Sequence, residues 1–155
     1  MSKASGKTRL GLPIGSEQND PFVDSAFLEL KRAERYRLFL SIITLDLSFG
    51  ETQPGDSPRL PLDDILRDIR GGIRTVDSVD IVGQRRLALM LPETGRQGAA
   101  VAARRVSELV RNRMAEHSQV LRDQVIPLEM ASYPDAAGTR SVEDLLGELK
   151  QMKMI

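Results

Sequence analysis

The sequence predicts an α/β (α+β) domain in which helices pack on a mixed sheet. Three observations lead there. Apolar residues switch repeatedly between helical spacing and short runs rich in β-branched residues. The resulting elements follow the order α, β, α, β, β, α, β, α, so strands and helices intermix along the chain. No internal repeat or low-complexity tract interrupts them. At 155 residues and 41% hydrophobic content the chain suits one domain with a real core. Residues 1–20, rich in Gly, Ser, Lys and Asn, read as a flexible N-terminal tail, and residues 21–155 as the folded domain.

Asp20 and Pro21 suit the N-cap and first position of a helix, with Phe22, Ala26, Leu30 and Ala33 on one face. FLSIITLDL, residues 39–47, is apolar on both faces, as a central strand covered on both sides requires. The Pro- and Gly-rich stretch 49–61 is turn chemistry. Leu62, Ile65, Leu66, Ile69 and Ile73 then repeat at helical spacing. SVDIV and LALML flank GQRR as the arms of an antiparallel hairpin. Thr94 with Gln97 forms a capping box for a long helix carrying Ala99, Ala103, Val106, Val110 and Met114 on one stripe. QVIPLEMASY holds a last strand. Ser141 with Asp144 caps a final helix through Leu145, Leu146 and Leu149.

Composition narrows the function. Twenty-two basic residues balance 22 acidic ones, so no global basic field draws nucleic acid or an anionic membrane, and neither is expected as a partner. Cysteine is absent, which excludes disulfides, thiolate metal sites and cysteine nucleophiles. No apolar run approaches the roughly 20 residues of a membrane helix, and the N-terminus lacks a signal-peptide core, so the expected location is cytoplasmic. His117 stands alone at the end of the long helix and reads as a helix-end residue. Asp63 and Asp64 open the second helix, where its dipole favours acids. Arg104, Arg105, Arg111 and Arg113 form a solvated face or a partner surface.

ELKRAERY followed by LSIITLDL, ALMLPET followed by an Ala-rich helix, and EMASYP resemble the GGDEF domain, the family of the diguanylate cyclases. The likeness spans roughly residues 22–149 and implies the nucleotidyl cyclase palm-type fold, a sheet flanked by helices. It places the family's first metal-binding aspartate on Asp46. Counting back from LPET places the five-residue signature on Gly83, Gln84, Arg85, Arg86 and Leu87. In the family the third and fourth positions are acidic and hold divalent cations, because hard cations take oxygen ligands and neutralise charge on the transferring phosphoryl group. Arginine has no acceptor atom and stays protonated. Gln84 replaces a glycine that admits phosphate to the backbone, and the family's lysine and guanine-contacting asparagine fall on Glu51 and Pro54. The resemblance is thus to a degenerate member with a vestigial active site at Asp46, Gly83, Gln84, Arg85 and Arg86. It has no catalytic residues, no metal and no cofactor. Arg85 or Arg86 is expected to pair with Asp46 as an internal substitute for the metal; the alternative is a pair of solvated turn arginines.

Many members of the family carry an inhibitory Arg-x-x-Asp site for cyclic di-GMP, its aspartate five residues before the signature. Arg74 and Asp77 fit that spacing. Arginine suits phosphate or a guanine edge and a carboxylate accepts from guanine nitrogens; Arg70, one helical turn earlier, supplies a second cation. In a rival frame Asp80 takes the aspartate's place, and an arginine at a helix end is also ordinary dipole chemistry. The expected function is an inactive regulatory or interaction module in bacterial signalling, acting on a protein partner or by self-association. The alternative is a cyclic di-GMP receptor.

Overall fold

The computed structural model describes residues 20–48, 60–83, 85–135 and 140–153. Residues 1–19 of the expected tail and 49–59 of the turn-rich stretch lie outside the described residues. Helix α1 spans Pro21–Tyr36, strand β1 Leu40–Asp46, α2 Leu62–Gly72, β2 Ser78–Val82 and β3 Arg86–Pro92. The long α3 spans Arg96–His117, a four-residue α4 Gln119–Arg122, β4 Leu128–Tyr133 and α5 Val142–Lys153. The predicted order holds, with α4 as an addition between α3 and β4. Its start signal is Ser118, whose hydroxyl accepts from the Val120 amide at 3.1 Å.

The sheet runs β2-β3-β1-β4, and every adjacent pair is antiparallel. A mixed sheet is the expectation from sequence, and the difference has a simple origin. The α2 crossover does bring β2 back parallel to β1, but β3 folds in between them, so no two parallel strands touch. β1 is central and almost wholly buried, as its apolar run on both faces requires.

Alternation along the strands divides the core in two. Ile43, Leu45, Leu87, Leu89 and Leu91 face α2 and α3, meeting Ile65, Ile69 and the stripe Ala99, Ala103, Val106, Val110 and Met114. Leu40, Ile42, Ala88, Met90 and Ala131 face α1 and α5, meeting Ala26, Leu30, Leu145, Leu146 and Leu149. That second face turns polar toward one end of the sheet, where Thr44, Asp46, Arg86 and Glu129 take the alternating positions of β1, β3 and β4.

The caps show where local signals compete. Asp20 accepts from the Phe22 and Val23 amides at 2.9 and 3.2 Å, and Ser141 from the Asp144 amide at 3.0 Å. The predicted capping box at Thr94 does not form. The N-cap of α3 is Gly95, with no side-chain cap. The Thr94 hydroxyl donates to the Pro92 carbonyl at 2.9 Å and accepts from Arg74 at 2.7 Å, a tertiary use that outranks the local one. Three of the four arginines read as a solvated face also bond across elements, Arg105 donating to the Gly72 carbonyl at 3.4 Å. Arg113 grips Asp68 of α2 through two bonds of 2.9 and 3.0 Å, and Arg111 donates to the Arg122 and Gln124 carbonyls.

Candidate functional site

Two groups of predicted site residues lie at opposite ends of the β1/β3 ladder. Its register runs from Leu40 opposite Pro92 to Asp46 opposite Arg86, which separates the ends by about 20 Å at the rise of a strand.

At the Asp46 end, the hairpin puts the Arg86 guanidinium beside the carboxylate, Nη2 to Oδ2 3.6 Å. Arg86 Nη1 donates to Glu148 of α5 at 2.7 Å. Glu148 also accepts from Arg140, which in turn donates to Glu129 of β4 at 2.7 Å. Asp46, Arg86, Glu148, Arg140 and Glu129 therefore form a ladder of alternating charge that ties β1, β3, β4 and α5 together. Arg86 is its most enclosed member, with 19% of its side chain exposed against 30% for Asp46 and 36% for Glu148. Its Nε is buried without a hydrogen-bond partner among the described residues, a cost that the short charge-assisted bond from Nη1 to Glu148 and the ion pair of Nη2 with Asp46 offset.

The electrostatics follow. Burial works to raise the Asp46 carboxyl, but hydrogen bonds from Ser48 and the charge of Arg86 outweigh it and hold it below its usual value. The bond from Arg140 holds Glu148 low against partial burial, with Arg86 adding to it. Gly83 sits at φ +69°, the left-handed turn a glycine admits. Arg85 is partly buried and its carbonyl accepts from the Leu47 amide at 2.8 Å. Gln84, Glu51 and Pro54 lie outside the described residues.

This donor set does not suit a divalent cation. A resident guanidinium already stands against Asp46, and its positive charge repels a metal ion there. Among the described residues no group of three or more His, Asp or Glu side chains is arranged to hold one.

At the Pro92 end, Arg74 and Asp77 pair with each other. Arg74 donates to Asp77 through its backbone amide at 2.9 Å, through Nε and through Nη2 at 2.7 Å. The same Nη2 reaches the Pro92 carbonyl at 2.9 Å and Thr94. Asp77 is closed in, its side chain only 5% exposed, whereas Arg74 remains half exposed. The pair thus clamps the α2–β2 turn to the β3–α3 turn, where Glu93 holds a left-handed φ of 52°.

Clefts open on two sides of this pair. The larger, about 720 Å³, lies between the end of α2 and the start of α3; Ile73, Leu91, Ala102 and Val106 form its apolar lining, and Arg74, Asp77, Glu93 and Arg105 its charged one. A smaller one of about 350 Å³ holds Arg70. Arg105 is the cation the sequence reading missed as a neighbour of Arg74. It lies on the stripe of Val101 and Ala102, and only the packing of α3 on α2 brings it there. Asp80, of the rival frame, instead caps the amide of Ile81 at 2.8 Å.

No protein-family model matches the chain, and no curated protein is similar to it in sequence. Solved structures are similar in fold. The GGDEF domain of YfiN (TpbB) from Pseudomonas aeruginosa superimposes with a TM-score of 0.58 at 20% identity, over 86% of this chain and 79% of that one. A DGC protein of Thermotoga maritima gives 0.53 at 17%, over 86% and 92%. The diguanylate cyclase SiaD of Pseudomonas aeruginosa, seen in complex with its activator SiaC, gives 0.50 at 17%, over 86% of this chain and 52% of that one. Identity this low speaks for architecture alone. The chain has the fold of the GGDEF domains of diguanylate cyclases.

Proposed function

We propose that this chain is a catalytically silent GGDEF-like regulatory module of bacterial signalling, acting through contacts with another protein or with a second copy of itself. The observation that carries the reading is Arg86, which stands between Asp46 and Glu148. Phosphoryl transfer needs cations that neutralise the triphosphate and activate the attacking hydroxyl. A guanidinium fixed by two carboxylates does neither, since it takes no hydroxide and leaves no ligand set for a metal. Activity apart, a stable fold of this kind has its surfaces to offer, and SiaD, about half of whose chain has this fold, is seen in complex with its activator SiaC.

A second reading, a receptor for cyclic di-GMP, has one specific observation in its favour. The cleft of about 720 Å³ brings Arg105 into the same space as Arg74 and Asp77, and two cations beside an apolar wall suit a phosphate-bridged planar ligand. Against it stand the enclosure of Asp77 and the engagement of Arg74 with Thr94 and Pro92.

Calorimetric titration separates the readings. The first expects no heat from GTP with Mg²⁺. Cyclic di-GMP binding that is lost in both Arg74→Ala and Arg105→Ala, each shown to be folded, would replace it with the receptor.

A further inference from the structure

Arginines are not distributed evenly with respect to their partners. Arg32, Arg67, Arg74, Arg86, Arg113, Arg122 and Arg140 each lie within ion-pair distance of a carboxylate. Seven exposed arginines, Arg35, Arg37, Arg70, Arg96, Arg104, Arg105 and Arg111, have no carboxylate within ion-pair distance among the described residues; of these Arg105 donates to the Gly72 carbonyl at 3.4 Å and Arg111 to the carbonyls of Arg122 and Gln124. Five of them, Arg35, Arg37, Arg70, Arg96 and Arg105, belong to the elements that meet at the Pro92 end. Arg35 and Arg37 flank the turn into Phe39, whose carbonyl accepts from Glu93; Arg96 follows Gly95, against which Phe39 packs; Arg70 and Arg105 lie on either side of the Arg74–Asp77 clamp.

The same end carries exposed apolar side chains: Tyr36, Phe39, Val76 and Val101, each more than half exposed. Val101 stands at the lip of the cleft whose floor is Ile73, Leu91, Ala102 and Val106. Single exposed apolar residues mean nothing, but Val101 on the lining, Phe39 against the lining residue Gly95, and the cations Arg74 and Arg105 beside an apolar floor have the composition of an interface core.

We propose that this end, centred on the cleft between α2 and α3, docks an acidic segment of a partner protein that inserts an apolar side chain into the cleft. The inference rests on the reading of the chain as an interaction module and gives it a surface and a partner chemistry. Charge selects the occupant. Arg105 lines the cleft, and the exposed Arg35, Arg37, Arg70 and Arg96 belong to the elements that meet around it, against two exposed acids there, Glu93 and Glu34, so carboxylates on the incoming segment are favoured. A second copy using the same face sets one arginine cluster against another and is disfavoured. A bilayer is disfavoured by shape, because an apolar floor sunk between two helices takes a side chain and not a flat surface.

The test is a displayed random-peptide library panned on the full chain. Enriched sequences should combine Asp or Glu with Leu, Phe or Trp. A synthetic copy of the dominant sequence should bind the chain and weaken by about tenfold or more, on the scale of a lost charged contact, in Arg105→Glu and in Val101→Glu. Both positions are exposed, and matched thermal melts establish that the variants fold. The proposal is overturned by no enrichment, by a basic or uncharged consensus, or by affinity indifferent to both substitutions. Retention on phosphatidylglycerol vesicles lost in the same variants would assign the surface to membranes and overturn it equally. Should the chain convert GTP, the silent reading falls and the surface stands; should the library yield nothing on a silent chain, only the surface falls.

Discussion

At the scale of single residues, Arg86 joins Asp46 to Glu148. Removing it leaves Asp46 and Glu148 facing each other, both partly shielded from water, so Arg86→Ala should destabilise by about 1–3 kcal/mol, in denaturant titrations. In a double-mutant cycle with Glu148→Gln the two losses should fall short of additive by at least about 0.5 kcal/mol; strict additivity would mean that the bond contributes nothing. The pH dependence follows from the depressed carboxyls. Asp46 and Glu148 both have folded values below their unfolded ones, so their stabilisation is full above the unfolded values and is lost as pH falls through the folded ones. Stability should therefore decline below about pH 4, and less steeply in Arg86→Ala, measured as melting temperature against pH. Arg74 presents the complementary case. Arg74→Ala strands Asp77, 5% exposed, and should cost about 1–3 kcal/mol whatever the pair's role in binding. The paired arginines are legible in GQRRL, and so is Asp46 as a partner for one of them. Glu148 and Arg140 are not, because they lie more than 50 residues along the chain and no local pattern reports a contact made by packing α5 on the sheet.

Element by element, helical stripes and strand runs carry their own evidence. All five stripe residues of α3 are buried as their spacing requires, and every residue of β1 except Asp46 is buried. Caps are less legible when a hydroxyl has a tertiary competitor. Asp20 has none and forms its cap, so Asp20→Ala should cost about 1 kcal/mol. Thr94 is captured by Arg74 and Pro92, and the box with Gln97 is not made. Gln97→Ala should accordingly change stability by less than about 0.5 kcal/mol, whereas a loss near 1 kcal/mol would return Gln97 to a capping role. The antiparallel sheet escaped the reading because strand order depends on where the hairpin folds, and hydrophobic period carries no information on which edge that is.

For the whole molecule, one end of the β1/β3 ladder is filled by the charge ladder around Arg86, and the other carries exposed arginines without carboxylate partners among the described residues. The GGDEF-like order was readable from four short stretches of sequence, even though identity to solved structures is about 20%. Arg105 was not, since its place beside Arg74 exists only once α3 lies on α2. The central claim, that an internal cation has taken the metal's place, has one direct test. Purified chain is incubated with GTP and Mg²⁺, and separately with Mn²⁺, and the mixture is analysed for cyclic di-GMP by mass spectrometry. The account predicts GTP recovered unchanged in both. Formation of cyclic di-GMP that disappears in Asp46→Asn would contradict it.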